Sequence, residues 1–268
     1  MNVLERLAGY ARERVEAAKA ERPLAQIREE VMALPKGDFA FEKALRKKKL
    51  SFICECKKAS PSKGLIAPDF PYLQIAKEYE AAGADAISVL TEPREFLGSD
   101  AYLREIAAAV NIPCLRKDFT VDEYMIYEAK LLGAAAVLLI CSLLTEEQIR
   151  KYLAICDKLG LSALVEAHDE AEVKMALNAG ARIIGVNNRN LKDFSVDLNN
   201  SANLRELVPA DIIFGAESGI KDAEDVKAAV KMGASAVLVG EALMRAEDKN
   251  GKLAEFYAAA DRVKESLQ

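Results

Sequence analysis

The chain has 268 residues, of which 51% are hydrophobic, so it can bury a large core. This length is close to the roughly 250 residues of a single eight-stranded α/β barrel, and one large domain or two small ones is the first expectation. The formal net charge of −5 argues against non-specific binding to nucleic acid, which requires an excess of Lys and Arg. An anionic ligand would have to meet locally grouped positive side chains.

No apolar segment is close in length to the about 20 residues that are needed to cross a bilayer. The N-terminal segment is charged throughout, unlike a signal peptide. We therefore expect a cytoplasmic protein that binds neither membranes nor nucleic acid. The five cysteines are odd in number, and most lie in apolar runs, where cysteine behaves as a small hydrophobic residue. They are expected to be buried, reduced thiols.

Residues 1–46 differ in pattern from the rest of the chain and predict an N-terminal helical extension. Their first apolar residues recur at helical spacing: Val3, Leu4, Leu7, Ala11 and Val15. The basic cluster at residues 46–49 could bind an anion, but a solvated helix end is the plainer interpretation. No linker is long enough to separate two domains, so residues 1–268 are expected to form one domain that includes the extension.

From about residue 50, short β-branched apolar runs alternate with amphipathic stretches, which is typical of a parallel sheet with crossover helices. Strands are predicted at residues 51–57, 85–91, 113–117, 135–141, 162–166, 182–187, 212–217 and 236–240. Helices are predicted at residues 72–82, 121–132, 146–159, 170–179 and 223–232. Several helices end in Gly-Ala, as expected for a left-handed C-cap. Eight strands favour a (β/α)8 TIM barrel, with a doubly wound open sheet as the alternative, because local patterns do not show closure.

Active sites of parallel α/β barrels lie at the C-terminal ends of the strands. The polar and glycine residues at or just after the predicted ends are Glu55, Lys57, Ser60, Lys117, Asp118, Glu166, Asn187, Arg189, Glu217, Ser218, Gly219 and Gly240. Charged groups there are costly unless they are paired. A lysine becomes a useful acid where burial or neighbouring charges bring its pKa towards neutrality.

Glu55 and Lys57 are two residues apart on one strand, so their side chains point to the same side. A purely structural ion pair is one interpretation, and a catalytic pair is the other. The turns after the last two strands, around Ser218-Gly219 and Gly240, fit the phosphate site that such barrels build from backbone N–H groups. A carboxylate beside a phosphate is unfavourable, so we expect the Glu241 side chain to point away.

His168 is the only histidine, which leaves no cluster for a catalytic metal and limits Ser-His-Asp chemistry to this one residue. We expect a capping or surface location for it. Cys54 and Cys56 lack further ligands nearby, so a zinc site is not expected. The sequence also lacks a Walker loop and a dinucleotide-binding GxGxxG turn after a strand.

Seven segments at the strand ends together resemble the indole-3-glycerol-phosphate synthase family, in the family's order. They are residues 55–64 (ECKKASPSKG), 87–92 (ISVLTE), 115–119 (LRKDF), 164–166 (LVE), 184–191 (IGVNNRNL), 216–220 (AESGI) and 239–244 (VGEALM). The N-terminal helical extension is similar too. The resemblance implies conversion of 1-(2-carboxyphenylamino)-1-deoxyribulose 5-phosphate to indole-3-glycerol phosphate in tryptophan biosynthesis, with loss of carbon dioxide and water and without a cofactor.

The resemblance also implies catalytic roles. Lys117 would be the general acid of ring closure, with Glu217 orienting it. Glu166 and Glu55 would handle proton transfer and hydroxyl contacts, and Lys57 would bind anionic groups. Whether Lys57 or Lys117 protonates the departing hydroxyl stays open.

The implied binding residues surround the substrate. Asn187 and Arg189 would hold hydroxyl and carboxylate groups, Ser60 would contact substrate, and the phosphate would lie against Ser218, Gly219 and Gly240. The aromatic ring would pack on apolar side chains that could equally be ordinary core: Leu90, Phe96, Leu138, Ile140 and Leu164. The expected partner is a small phosphorylated substrate. We expect a monomer, with association with another tryptophan-pathway enzyme as an open alternative.

The chain departs from the family pattern at three positions: Cys54 and Cys56 replace an alanine and a larger aliphatic residue, and Ala242 replaces a serine found in some members. Two related barrel enzymes, phosphoribosylanthranilate isomerase and the tryptophan synthase alpha subunit, would need Cys with Asp or Glu with Asp as the acid and base. A barrel that only binds phosphorylated ligands is a further alternative. The presence of Lys117 and Glu166 argues against it.

Overall fold

Eight parallel strands close into a barrel in which each strand pairs with its neighbours in chain order and the first pairs with the last. The structure, a computed structural model, describes residues 2–47, 49–190 and 194–267. Within these ranges the strands are β1 (Ser51–Cys56), β2 (Ala59–Ser60), β3 (Gly64–Leu65), β4 (Ala86–Leu90), β5 (Cys114–Lys117), β6 (Ala136–Ile140), β7 (Ser162–Ala167), β8 (Ile183–Asn187), β9 (Ile213–Glu217) and β10 (Ala236–Val239). The closed barrel confirms the predicted TIM barrel and excludes the open doubly wound sheet. Lys48 of the basic cluster and Leu191 of the family-like motif lie outside the described residues.

Helices surround the barrel and precede it. They are α1 (Val3–Glu21), α2 (Leu24–Met32), α3 (Ala40–Leu45), α4 (Tyr72–Ala81), α5 (Asp100–Ala109), α6 (Tyr124–Leu131), α7 (Glu146–Leu159), α8 (Glu170–Ala179), α9 (Asn199–Arg205), α10 (Ala223–Lys231), α11 (Glu241–Arg245) and α12 (Lys249–Leu267). Helix α6 begins at Tyr124 and not at Val121. The Asp122 carboxylate accepts a hydrogen bond from the Tyr124 N–H, which forms a turn just before the helix. The predicted caps are confirmed, since Gly83, Gly133, Gly180 and Gly233 all have φ between 81° and 93°.

The core has two layers because side chains alternate along each strand. In β1, Phe52, Cys54 and Cys56 pack outward against helices, whereas Ile53 packs inside the barrel. Glu55 has the same orientation as Ile53, so it points into the barrel near its C-terminal end. All five cysteines are buried and unpaired, as expected for reduced thiols. No helix in the described ranges is long and apolar enough to cross a membrane.

The N-terminal helices α1 and α3 contact opposite ends of the barrel. Helix α1 buries the predicted apolar stripe, except that Val3 is only half-buried. Its Arg14 donates two hydrogen bonds, of 2.9 and 2.7 Å, to the Asp118 carboxylate just after β5. Helix α3 lies at the other end, where the Glu42 N–H donates to the hydroxyl of Ser162 at the start of β7. Helix α1 therefore lies beside the strand ends that carry the predicted site.

Candidate active site

A cavity of about 710 Å³ opens at the C-terminal ends of the strands. The strand register aligns polar residues of neighbouring strands at this end of the barrel, so that Glu55 pairs with Ser88 and Asn187 pairs with Glu217. Fourteen residues assigned to the site from sequence line the cavity: Glu55, Lys57, Ser60, Leu90, Phe96, Lys117, Leu138, Glu166, Asn187, Arg189, Glu217, Ser218, Gly219 and Gly240. Ile140 also lines it, whereas Leu164 packs in the barrel core.

Glu55 and Lys57 form an ion pair at the cavity wall. The Lys57 Nζ lies 2.8 Å from Glu55 Oε1, and the Lys117 Nζ lies 3.8 Å from Oε2. The Ser88 hydroxyl donates to Oε2 at 3.3 Å. Burial alone would raise the pKa of Glu55, but the two lysines outweigh it and the net pKa is lowered. Glu55 is thus an anion that links the two lysines, and the pair faces the cavity.

Lys117 ends β5 and lies between two carboxylates, with Nζ 3.8 Å from Glu55 and 3.7 Å from Glu217. Burial would lower the pKa of Lys117, but Glu55, Glu217 and Glu166 raise it, and the net direction is upward. The pKa of Lys117 is therefore not shifted towards neutrality. Lys117 is held as a cation that can donate a hydrogen bond to a ligand in the cavity.

Glu217 ends β9 and is buried, and neither carboxylate oxygen has a hydrogen-bond partner among the described residues. Burial and the nearby Glu166 carboxylate outweigh the attraction of Lys117 and raise the pKa of Glu217 to about 8. Space for this carboxylate depends on Gly185 of β8. A Cβ atom added at Gly185 would lie 2.2 Å from Glu217 Oε1. Sequence reasoning missed Gly185, because nothing local to it reveals the neighbouring strand.

The location predicted for His168 is wrong. Its side chain is only 17% exposed, and the cap of α8 is Asp169, which accepts a hydrogen bond of 2.9 Å from the Glu172 N–H. The imidazole lies between two carboxylates, with Nε2 3.3 Å from Glu166 Oε1 and Nδ1 3.0 Å from Glu172 Oε2. The tertiary fold therefore places this residue directly behind a cavity side chain.

The turns after β9 and β10 form part of the cavity wall. Ser218 and Gly219 both adopt left-handed backbone conformations, with φ of 64° and 98°. A Cβ atom added at Gly240 would lie 2.6 Å from Glu55 Oε1 and 2.9 Å from Lys57 Nζ, so glycine lets these side chains approach the turn. Glu241 forms ion pairs with Arg245 at 3.0 Å and Lys63 at 3.6 Å. Its negative charge is therefore balanced by neighbouring cations.

The turn after β8 fixes the polar groups at that strand end. The Asn187 side-chain oxygen accepts a hydrogen bond of 3.0 Å from the Arg189 N–H, and the Arg189 guanidinium donates to the Phe194 carbonyl at 3.1 Å.

The cavity is also lined by residues that were not predicted from the sequence. These are Val3, Leu4 and Leu7 of α1, the aromatic Phe119 and Phe194, and the cationic Lys63, Lys221 and Arg245. Phe119 follows the predicted Lys117 by two residues, so the strand-end rule could have included it.

A sequence profile of the indole-3-glycerol phosphate synthase family matches residues 4–256. The chain belongs to this family. The indole-3-glycerol phosphate synthase of Ruminiclostridium cellulolyticum is 58% identical over 259 residues, covering 96% of this chain and 100% of that protein. That of Endomicrobium trichonymphae is 51% identical over 254 residues, covering 94% and 97%. As a member of the indole-3-glycerol phosphate synthase family, the chain is an enzyme of the carboxy-lyase class in tryptophan biosynthesis.

Solved structures show the fold more widely. A 3-hexulose-6-phosphate synthase superposes with a TM-score of 0.64 at 17% identity, covering 78% of this chain and 99% of that one. At this identity the likeness supports the barrel fold alone.

Across the described ranges, no three side chains of His, Cys, Asp or Glu are grouped so that they could hold a metal ion.

Proposed function

We propose that the cavity converts 1-(2-carboxyphenylamino)-1-deoxyribulose 5-phosphate to indole-3-glycerol phosphate, with Lys117 as the general acid of ring closure. The observation that supports this best is the placement of Lys117. It is a largely buried cation within 3.8 Å of the Glu55 and Glu217 carboxylates, and it lines a cavity large enough for a substrate of this size. The site requires no cofactor.

Ring closure needs a proton donor at the substrate carbonyl. In this proposal the Lys117 ammonium donates to the carbonyl oxygen while the aromatic carbon that bears the carboxylate attacks the carbonyl carbon. The carbonyl becomes a hydroxyl, and a new carbon–carbon bond closes the five-membered ring. Loss of carbon dioxide returns its bonding electrons to the ring and restores aromaticity. Glu217, 3.7 Å from the lysine, orients the ammonium and can return a proton to it.

Dehydration needs an acid and a base on opposite sides of the new ring. The departing hydroxyl takes a proton from a lysine, and the Glu166 carboxylate accepts a proton of the new ring, which yields the indole double bond. Glu55 contacts the substrate hydroxyl groups and holds Lys57, whose Nζ lies 2.8 Å from it. Lys57 is thereby directed towards the anionic groups of the substrate.

The substrate carries a carboxylate and a phosphate, and the cavity offers distinct places for each. Arg189, with Asn187, binds the carboxylate through a charge-assisted hydrogen bond. The phosphate lies against the backbone of Ser218, Gly219 and Gly240, where Lys63 and Arg245 add positive charge. The anthranilate ring packs on Leu90, Phe96 and Leu138, and Ser60 contacts the substrate.

The chain is proposed to act as one domain of residues 1–268 and as a cytoplasmic monomer on a small phosphorylated substrate. Helix α1 belongs to this domain because Leu4 and Leu7 line the cavity. Deleting residues 1–40 should therefore weaken substrate binding. A truncated enzyme with unchanged activity would show that the extension is dispensable.

The absence of tryptophan from the sequence permits a direct test. The purified protein is mixed with the substrate, and indole fluorescence and carbon dioxide are measured together. The proposal predicts that both rise in equal molar amounts. Measurable substrate binding without either product would instead favour a barrel that binds phosphorylated ligands and performs no chemistry.

A further inference from the structure

His168 has no task in the reaction as proposed, although its ring connects the cavity to helix α8. The Ser142 hydroxyl donates to Glu172 Oε1 at 2.6 Å, and Glu172 Oε2 accepts from the His168 backbone N–H at 2.7 Å. The same oxygen lies 3.0 Å from the imidazole Nδ1. Glu172 therefore holds the Nδ1 side of the ring. The Nε2 atom faces the cavity residue Glu166 at 3.3 Å.

The contact between His168 and Glu166 is electrostatic. The imidazole Nε2 is buried and has no partner in hydrogen-bond geometry among the described residues, although the Glu166 oxygen is within ion-pair distance. A small rotation of the carboxylate would align the two groups.

The surroundings of His168 favour its cationic form. Acidic groups face the ring from three elements: Glu166 of β7, Glu172 of α8 and Glu217 of β9. Burial lowers the pKa of His168, but Glu172 and Glu166 outweigh it and raise the pKa to about 9. The ring is therefore an imidazolium at neutral pH.

Carboxylates outnumber lysines at the barrel mouth. Glu55, Glu166 and Glu217 face the two ammonium groups of Lys57 and Lys117. Burial and the nearby Glu166 carboxylate raise the pKa of Glu217, since like charges in a buried site disfavour joint ionisation. The His168 imidazolium places a further positive charge directly behind Glu166.

We propose that His168 is a positioning residue for Glu166: its ring, fixed by Glu172, holds the Glu166 carboxylate towards the substrate for dehydration. This inference rests on the proposed function. His168 touches no substrate atom in this account and acts only through Glu166.

The test compares His168→Gln with the wild-type enzyme by kcat, KM and kcat/KM from pH 5 to 9. His168→Gln removes the positive charge beside Glu166, so the acid limb of kcat/KM should move to higher pH. At pH 6, kcat should fall about tenfold while KM changes little. Glu170→Gln, on the exposed face of the same helix beside Lys174, is the matched control and should equal wild type. An unchanged acid limb and kcat in His168→Gln would overturn the proposal.

A second variant keeps the test decisive if His168→Gln does not fold. Glu172→Gln retains the imidazole but removes its anchoring charge, so the ring loses its proton at lower pH. The alkaline limb of kcat should then move to lower pH, and an unchanged limb would again overturn the proposal. Absence of indole product from the wild-type enzyme would contradict the proposed function itself. Wild-type turnover with unaltered variant profiles would contradict only the assignment of His168.

Discussion

Lys117 and Glu217 face each other across the barrel mouth with Nζ and Oε2 3.7 Å apart, and the Glu217 carboxylate has no hydrogen bond among the described residues. A buried carboxylate without hydrogen bonds costs folding free energy. The site therefore holds a destabilising group beside the proposed acid. A Glu217 carboxylate without hydrogen bonds is expected at a site where its hydrogen bonds form only when substrate is bound.

Glu217→Gln should stabilise the protein and reduce its activity. The folded-state pKa of Glu217 is raised to about 8 from an ordinary 4.5, so its ionisation destabilises the fold increasingly as pH rises between these values. The gain in Tm of Glu217→Gln over wild type should be roughly 4 °C or more at pH 8 and close to zero at pH 4.5. Thermal unfolding at several pH values measures it. A gain independent of pH would contradict the raised pKa.

Gly185→Ala should lower kcat by roughly 100-fold, because the added methyl group would displace the Glu217 carboxylate, which in turn orients Lys117. Gly9→Ala is the matched control. It lies inside α1 with no atom within 4 Å of an added Cβ, and it should leave activity unchanged while stabilising the helix by about 1 kcal/mol. Steady-state kinetics of both variants test the prediction. Normal turnover in Gly185→Ala would show that the position of Glu217 is unimportant.

Ser218→Asp should raise KM by about tenfold or more through repulsion of the substrate phosphate, with a smaller effect on kcat. The control is Ser218→Asn, which has nearly the same shape without the charge. Both residues tolerate the left-handed backbone, with φ of 64°, that Ser218 adopts. Equal KM values for the two variants would move the phosphate to another part of the cavity.

Arg14→Met should destabilise the protein by about 3 kcal/mol, because the buried Asp118 carboxylate would lose both of its hydrogen bonds to Arg14. Asp118 directly follows Lys117, so kcat should fall as well. Arg12→Met is the matched control on the exposed side of the same helix, and it should match wild type. Chemical denaturation and kinetics of the pair measure both effects. Equal stability of the two variants would show that this contact does not hold α1 in place.

The sequence predicts the barrel well because each of its features is local. Strand periodicity and Gly-Ala helix ends mark the repeating units, and the strand-end rule then brings distant residues such as Glu55 and Lys117 to one cavity. Features that depend on neighbours in space were missed. The lack of a side chain at Gly185 leaves room for Glu217 of the next strand, β9. His168 lies behind Glu166 because of how α8 packs on the barrel. The upward pKa shift of Lys117 likewise results from three carboxylates on three other strands.

The most direct test of the central claim is a single-turnover experiment with wild type and Lys117→Ala. Enzyme in excess is mixed with 1-(2-carboxyphenylamino)-1-deoxyribulose 5-phosphate, indole fluorescence is followed in time, and substrate affinity is measured by calorimetry. We expect the wild type to produce the fluorescence rise, and we expect Lys117→Ala to bind substrate but to lose the rise by a factor of at least about 100. A rise of near-normal rate in Lys117→Ala would contradict the assignment of Lys117 as the acid.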